Sequence, residues 1–468
     1  MEKVLKEKLF ATLPNETSLE LLPEIQQELT SLNASIIVLD DYPTGTQTVY
    51  DVPVLTTWDT VDIQAELSHK TPLFYVLTNS RSLPAQQAIQ LAQEIGANIS
   101  QAAKATARNI LIISRGDSTL RGHYPEEVFA LEGPLGLEGA VHVLVPAFWE
   151  GGRYTINDVH YVEEKDHLIP ASHTPFARDA AFGYKNADLK CWIEEKTAGK
   201  IKSDEVVSIS LTDIRDAGWP IVLDKLLNCQ ANGVCVVNAT NRQDLDIVVL
   251  TLLKALQKGK KLLLRTAASI VPALAGLVQK PLLDHEQLGT KGKGGLTVIG
   301  SYVPKSSAQL KYLEDHLPLD YLEVQVSHLL GDLREQEVSN ITQRANQLLK
   351  ENRHVVIYTS RQLVAGSNDV TSLNIGQKVS ESLVEIVKRI NTPPAYILAK
   401  GGITSNDIAT EALGIKRAWV KGQVLAGVPV WELGAESNYQ GIPYIVFPGN
   451  VGGEDALYQV IQKLTSYE

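Results

Sequence analysis

Asn109-Ile110-Leu111-Ile112-Ile113-Ser114-Arg115-Gly116-Asp117-Ser118-Thr119-Leu120-Arg121-Gly122 changes character at its middle. The first five residues are largely apolar and read as a buried strand that ends at Ser114. Beyond it come two guanidiniums, one carboxylate, two hydroxyls and two glycines. Arginine holds a carboxylate or phosphate with two parallel hydrogen bonds. An Asp beside Ser and Thr can hold sugar hydroxyls, and Gly116 and Gly122 let the backbone come close. The group suits a small, anionic, polyhydroxylated molecule; a salt-bridged surface turn is the plainer alternative.

Other runs of the same kind surround it. Ser35–Leu39, Leu73–Leu77 and Val141–Val145 read as parallel-sheet strands, and Pro84–Ala107 as a helix with Ala88, Leu91, Ala92, Ile95 and Ile99 inward. Alternating strands and helices argue a doubly wound α/β domain. Three loops leave strand ends: Asp40–Gln47, Arg115–Gly122 and Pro146–Arg153. In parallel neighbours they would converge on one crevice with three Asp and three Arg. Val206–Leu211, Val234–Val237 and Lys261–Leu264 continue the domain, the last leading into Arg265.

Residues 1–33 have a helical pattern, with Leu22, Ile25, Leu29 and Leu32 on one face. They read as an N-terminal extension that packs across a domain or a neighbouring subunit, or as a helix on its own domain. Asp284–Gly295 is polar and glycine-rich and is expected to link two domains. Leu296–Ile299, Val355–Tyr358, Ala395–Ala399 and Ile442–Val446 are expected strands of the second. The expected divisions are 1–33, 34–285 and 286–468.

At 468 residues the chain is long enough for two domains or three. The balance of 54 acidic against 43 basic residues argues against a nucleic-acid partner. Three cysteines without a Cys-x-x-Cys pair argue against a disulfide framework and for buried reduced thiols. No run approaches the roughly 18 apolar residues of a membrane span, and the N-terminus lacks the apolar core of a secretory signal. A cytoplasmic protein is expected. The histidines lack zinc-ligand spacing, and no Gly-x-Ser-x-Gly elbow occurs.

In the second half, Lys400–Ser405 and Pro448–Asp455 are glycine turns that open helices, a geometry that favours phosphate but also serves as a plain cap. Neither has P-loop spacing, and no Gly-x-Gly-x-x-Gly follows the first strand.

Taken in order, these stretches resemble the four-carbon acid sugar kinase family, which includes 3-oxo-tetronate, D-threonate and D-erythronate kinases. The resemblance runs from about Ile36 to Ala456. It rests on Asp40-Asp41-Tyr42-Pro43-Thr44-Gly45, Asp117–Gly122, Pro146-Ala147-Phe148 and Gly151-Gly152-Arg153. In the second half it rests on Gly300-Ser301, Gly401–Ser405 and Pro448–Gly453. It implies two α/β domains, each a mostly parallel sheet flanked by helices, with the active site in the cleft between them. The first would bind the acid sugar through Asp117, Ser118, Arg121 and Arg153, with Asp40 or Asp41 as catalytic base. The second would bind ATP near Ser301, Gly401, Gly402, Ile403, Thr404 and Gly449. Mg²⁺ would accompany ATP, with its protein ligands unassigned. Many members carry an acidic residue where this chain has Ile403, and a small one where it has Asn406-Asp407.

The implied activity is phosphorylation of the terminal hydroxyl of threonate, erythronate or a 3-oxo-tetronate. Expected partners are the acid sugar and ATP, without nucleic acid or membrane, and a homodimer is one expected assembly. Two alternatives stay open: an NAD(P)-dependent sugar-acid dehydrogenase and a non-catalytic sugar-acid sensor.

Overall fold

The computed structural model describes residues 2–42, 44–290, 294–301, 303–361 and 369–465, with 369–374 as backbone alone. Packing divides the chain into two units: residues 1–45 with 57–279, and residues 46–56 with 280–468.

The first unit is built on seven parallel strands: β1 (Ala34–Asp40), β2 (Leu73–Leu77), β3 (Asn109–Arg115), β4 (Val141–Val145), β5 (Val207–Ile209), β6 (Val234–Val237) and β7 (Leu262–Thr266). Their spatial order is β5-β6-β4-β7-β3-β1-β2. The apolar runs form these strands because both faces of the sheet are covered. Ile37, Val38, Phe74, Val76, Ile113 and Val143 are completely buried. Asp40 pairs in register with Arg115 and Leu77, and Arg115 with Thr266, so these strand ends lie level. The order reverses beside β1, with β2 on one flank and β3 on the other. Such a reversal leaves a crevice at the carboxyl ends of the strands.

A four-stranded antiparallel sheet joins Val4–Leu5, His167–Pro170, Val159–Glu164 and Arg153–Ile156 in that order. Residues 1–33 are therefore not a purely helical extension. Val4–Leu5 is a strand edge, and the helix Leu22–Leu32 packs on its own unit. Ile25 is completely buried, and Glu24 and Glu28 reach Lys254 at 3.1 and 2.7 Å.

The second unit has parallel strands β8 (Leu296–Ile299), β9 (Asp320–Val324), β10 (Val355–Thr359), β11 (Ile397–Lys400) and β14 (Pro443–Phe447) in the order β14-β11-β8-β10-β9. The antiparallel pair β12 (Arg417–Leu425) and β13 (Val428–Leu433) continues it from β14. Val52–Leu55 closes that edge against β12.

Two boundaries differ from the expected ones. Residues 46–56 belong to the second unit: Trp431 Nε1 donates to Thr46 Oγ1 at 3.0 Å and Gln47 to the Gly427 carbonyl at 3.3 Å. The expected linker begins with packed structure. Leu283 and Leu288 join the second unit's core, and Asp284 and Gln287 cap each other across a short helix. Lys291, Gly292 and Lys293 of that linker lie outside the described residues. Cys229 and Cys235 are buried free thiols; Cys191 is exposed, because its helix turns it to solvent. No helix of the described residues is long and apolar enough to cross a membrane.

Candidate active site

In the first unit, guanidiniums and carboxylates alternate at the carboxyl end of the sheet. Arg115 reaches Asp40 at 3.3 Å. Asp41 is held from two sides, by Arg81 at 2.6 Å and Arg265 at 3.5 Å. Asp117 takes Arg121 at 2.7 Å and Arg81 at 3.7 Å, and accepts a hydrogen bond from Thr119. Arg265 also donates to Ser114 Oγ at 2.8 Å and faces Glu127 at 3.5 Å, while Ser80 donates to Glu127 at 2.6 Å. Arg121 and Arg153 both lie over the Phe176 ring, at 5.0 and 5.8 Å.

The glycines serve this lattice. A Cβ on Gly116 would stand 2.2 Å from Arg265 Nη2, and one on Gly45 would stand 1.7 Å from an Asp40 oxygen. Gly122, at φ +121°, leaves room for Arg265 and Asp41 together.

Burial sets the charges. It pushes the Asp40 carboxyl up to about 7, with Arg115 opposing and Asp41 adding to the rise. Burial also works against the Asp117 charge, but Arg81 and Arg121 outweigh it and hold that carboxyl well below the usual carboxylate range. His160 falls to about 4, chiefly through burial, and is neutral near pH 7. Its Nε2–H donates to the Ser118 carbonyl at 2.7 Å, which leaves Nδ1 to accept from the Thr155 hydroxyl at 3.0 Å. A neutral histidine thus fixes the backbone of the Asp117–Gly122 loop.

All six candidates of the first unit (Asp40, Asp41, Asp117, Ser118, Arg121 and Arg153) come to this one end of the sheet. Sequence reading missed Arg81, Glu127 and Arg265 as members. Arg265 belongs because β7 inserts between β3 and β4, and strand order is not written in any one strand. Arg81 follows β2 at the same end as Asp40, a position that could have flagged it.

In the second unit the strand order reverses at β8, between β10 and β11. The loops after β8, β11 and β14 meet there. Ser306 Oγ donates to Ser301 Oγ at 3.0 Å and to the Gly449 carbonyl at 3.1 Å. Gly401 N–H donates to the Phe447 carbonyl at 2.9 Å, and Ser405 Oγ to Ala399 and Gly401 carbonyls at 2.8 and 2.7 Å. Gly401 sits at φ +118°, open to glycine alone without strain. Gly300 approaches Thr404 so closely that a Cβ would stand 2.2 Å from its hydroxyl, and a Cβ on Gly449 would stand 3.2 Å from Ser301 Oγ. Gly402 and Thr404 are buried, while Ile403 is 53% exposed. Pro43, within the quoted stretch Asp40–Gly45, and Tyr302, which follows Gly300-Ser301, lie outside the described residues.

Three cations stand at this end: Lys305, Arg361 and Lys400. No three His, Cys, Asp or Glu side chains among the described residues form a metal cage.

Fold and strand-end clusters together define a two-unit α/β protein in which each unit gathers charged side chains where its strand order reverses. Residues 36–274 match the family model of a sugar-binding N-terminal domain and residues 296–457 that of a nucleotide-binding C-terminal domain. The chain belongs to the four-carbon acid sugar kinase family. It is 26% identical over 411 residues to D-threonate kinase of Salmonella typhimurium, covering 84% of this chain and 90% of that protein. It is 24% identical over 449 residues to D-erythronate kinase of Heliobacterium modesticaldum, covering 92% and 94%. Among solved structures, a Haemophilus influenzae protein shares the fold with a TM-score of 0.62 at 16% identity, over 92% of this chain and all of that one. A Salmonella typhimurium protein described as a tRNA synthase does so with a TM-score of 0.65 at 16% identity, over 91% and 98%.

Proposed function

We propose that this protein transfers the γ-phosphoryl group of ATP to the terminal (C4) hydroxyl of a four-carbon sugar acid such as threonate, erythronate or a 3-oxo-tetronate. The observation that carries the reading is the Arg–Asp lattice at the end of the first unit's sheet. Its guanidiniums match a carboxylate, and its carboxylates and hydroxyls match a polyol. The kinase names of the two relatives supply the reaction type.

In this reading Arg121 and Arg153 hold the acid's carboxylate, and Asp117 and Ser118 hold its hydroxyls. Asp40 takes the C4 proton as the hydroxyl oxygen attacks the γ-phosphorus and the bond to the departing ADP breaks. A base that titrates near 7 is matched to that task. Ser301, Gly401, Gly402, Ile403, Thr404 and Gly449 receive the nucleotide. Magnesium bound with the nucleotide would supply charge neutralisation on the phosphate chain, its protein ligands being unassigned. Work inside a cell, where ATP is plentiful, follows from the same reading.

A coupled ADP-release screen over D- and L-threonate, D- and L-erythronate and the 3-oxo acids tests the proposal. Release with none of them removes it. Arg121→Ala should raise the KM for the acid by about ten- to a hundred-fold, the scale of one charge-assisted bond, and leave that for ATP within about twofold. An unchanged acid KM takes Arg121 out of the pocket.

A further inference from the structure

Lys400 ends β11 completely buried, yet no carboxylate pairs with it among the described residues. Its ammonium donates to the Pro448 carbonyl at 3.2 Å and lies 4.0 Å over the Phe447 ring. Exposed Lys305 and half-buried Arg361 also rest on backbone carbonyls. Lys305 donates to the Asn450 carbonyl at 3.4 Å, and Arg361 to the Ser301 and Ile299 carbonyls at 2.7 and 3.4 Å. Three cations thus sit on backbone carbonyls around Ser301 and Gly449, and a buried ammonium without a counter-charge is costly unless something else meets it.

Polar groups on the neighbouring elements are engaged elsewhere. Asp407, on the helix that follows, is engaged by Ser380 and Asn406. Tyr444 on β14 gives its hydroxyl proton to the Ser405 carbonyl. Burial, and then the like charge of Lys305, push Lys400 down to about 7.

We propose that Lys400 is a positioning residue for the nucleotide, whose amine, anchored on the Pro448 carbonyl, supplies with Lys305 and Arg361 the positive charge that the phosphate chain meets beside Ser301 and Gly449. The inference rests on the reading of this protein as an ATP-dependent kinase. It has a consequence that a purely structural lysine lacks. Above pH 7 the empty site holds Lys400 largely neutral; an arriving polyanion favours its charged form, so binding takes up a proton.

The test is calorimetric titration of the full chain with a non-hydrolysable ATP analogue at pH 8, in two buffers of different ionisation enthalpy, followed by titration with the sugar acid found in the screen. Wild-type protein should take up a large part of one proton per nucleotide. Lys400→Met should lose that uptake and bind the analogue at least about tenfold more weakly, with acid affinity unchanged. Lys305→Ala, an exposed change that keeps the inference testable should Lys400→Met not fold, should reduce the uptake by letting Lys400 hold its proton beforehand. Equal analogue affinity and equal proton exchange in wild type and Lys400→Met, or an uptake untouched by Lys305→Ala, overturns the role of Lys400 and leaves the kinase reading standing. Wild-type protein that binds no nucleoside triphosphate overturns both.

Discussion

Replacing Asp40 by Asn should lower kcat by a factor of about 10²–10⁴ while the acid KM changes little. The two adjacent carboxylates are told apart by their partners. Asp41 is clamped by Arg81 and Arg265, whereas Asp40 has an ion pair with Arg115 and a long bond from the Tyr42 N–H at 3.4 Å, and is pushed up to about 7 by its burial. Wild-type kcat should therefore fall as pH drops through about 7, and the variant's residual rate should lose that limb.

Stability should move the other way. An unfolded Asp40 releases its proton near 3.8 and the folded one near 7. Between those values the folded chain keeps a proton that the unfolded chain has lost. Ionisation thus costs the folded state stability as pH rises through that window, and the deficit persists above it. Asn carries no such cost, so the variant should melt no lower than wild type at pH 8. A kcat within threefold of wild type sinks the assignment of Asp40 as base and moves the search to Asp41 and Asp117.

Gly401→Val should abolish measurable nucleotide binding and leave acid binding intact. At φ +118° a β-branched residue is strained, and its Cβ would meet Ser301 at 3.1 Å and Thr404 Oγ1 at 3.2 Å. The loops after β8 and β11 would have to part, and the Ser301 and Thr404 hydroxyls with them. Titration with an ATP analogue decides the matter. Normal affinity in a variant with wild-type circular dichroism means that this turn does not hold the nucleotide.

Much of the parallel framework was legible. Leu73–Leu77, Val141–Val145, Val234–Val237 and Leu296–Ile299 match the observed strands residue for residue, because strands buried on both faces show as unbroken apolar runs. The antiparallel parts were not read. Arg417–Leu425 alternates buried and half-buried residues, a period-two signal that an eye set for apolar runs passes over. Val159–Glu164 carries His160 and Glu163 among its apolar residues and hides in the same way. The site was legible as far as its strand-end loops, since Asp40, Asp117 and Arg121 announce themselves beside glycines. Arg265 and Glu127 lie in a strand and a helix of ordinary pattern, and only the spatial order of the strands brings them to Asp41. The excursion of residues 46–56 was invisible for a related reason: nothing in Val52–Leu55 names the edge it will join.

That excursion has a consequence for how the molecule comes apart. The chain passes from one unit to the other after Gly45, after Thr56 and after Gln279. A protease that cuts only after Gln279 would produce two fragments on a denaturing gel, yet the longer would still own the strand that seals the shorter one's sheet. The pieces should travel together through a sizing column. A piece expressed from Lys280 onward would begin life with β12 as a naked edge, open to any extended peptide and to its own copies.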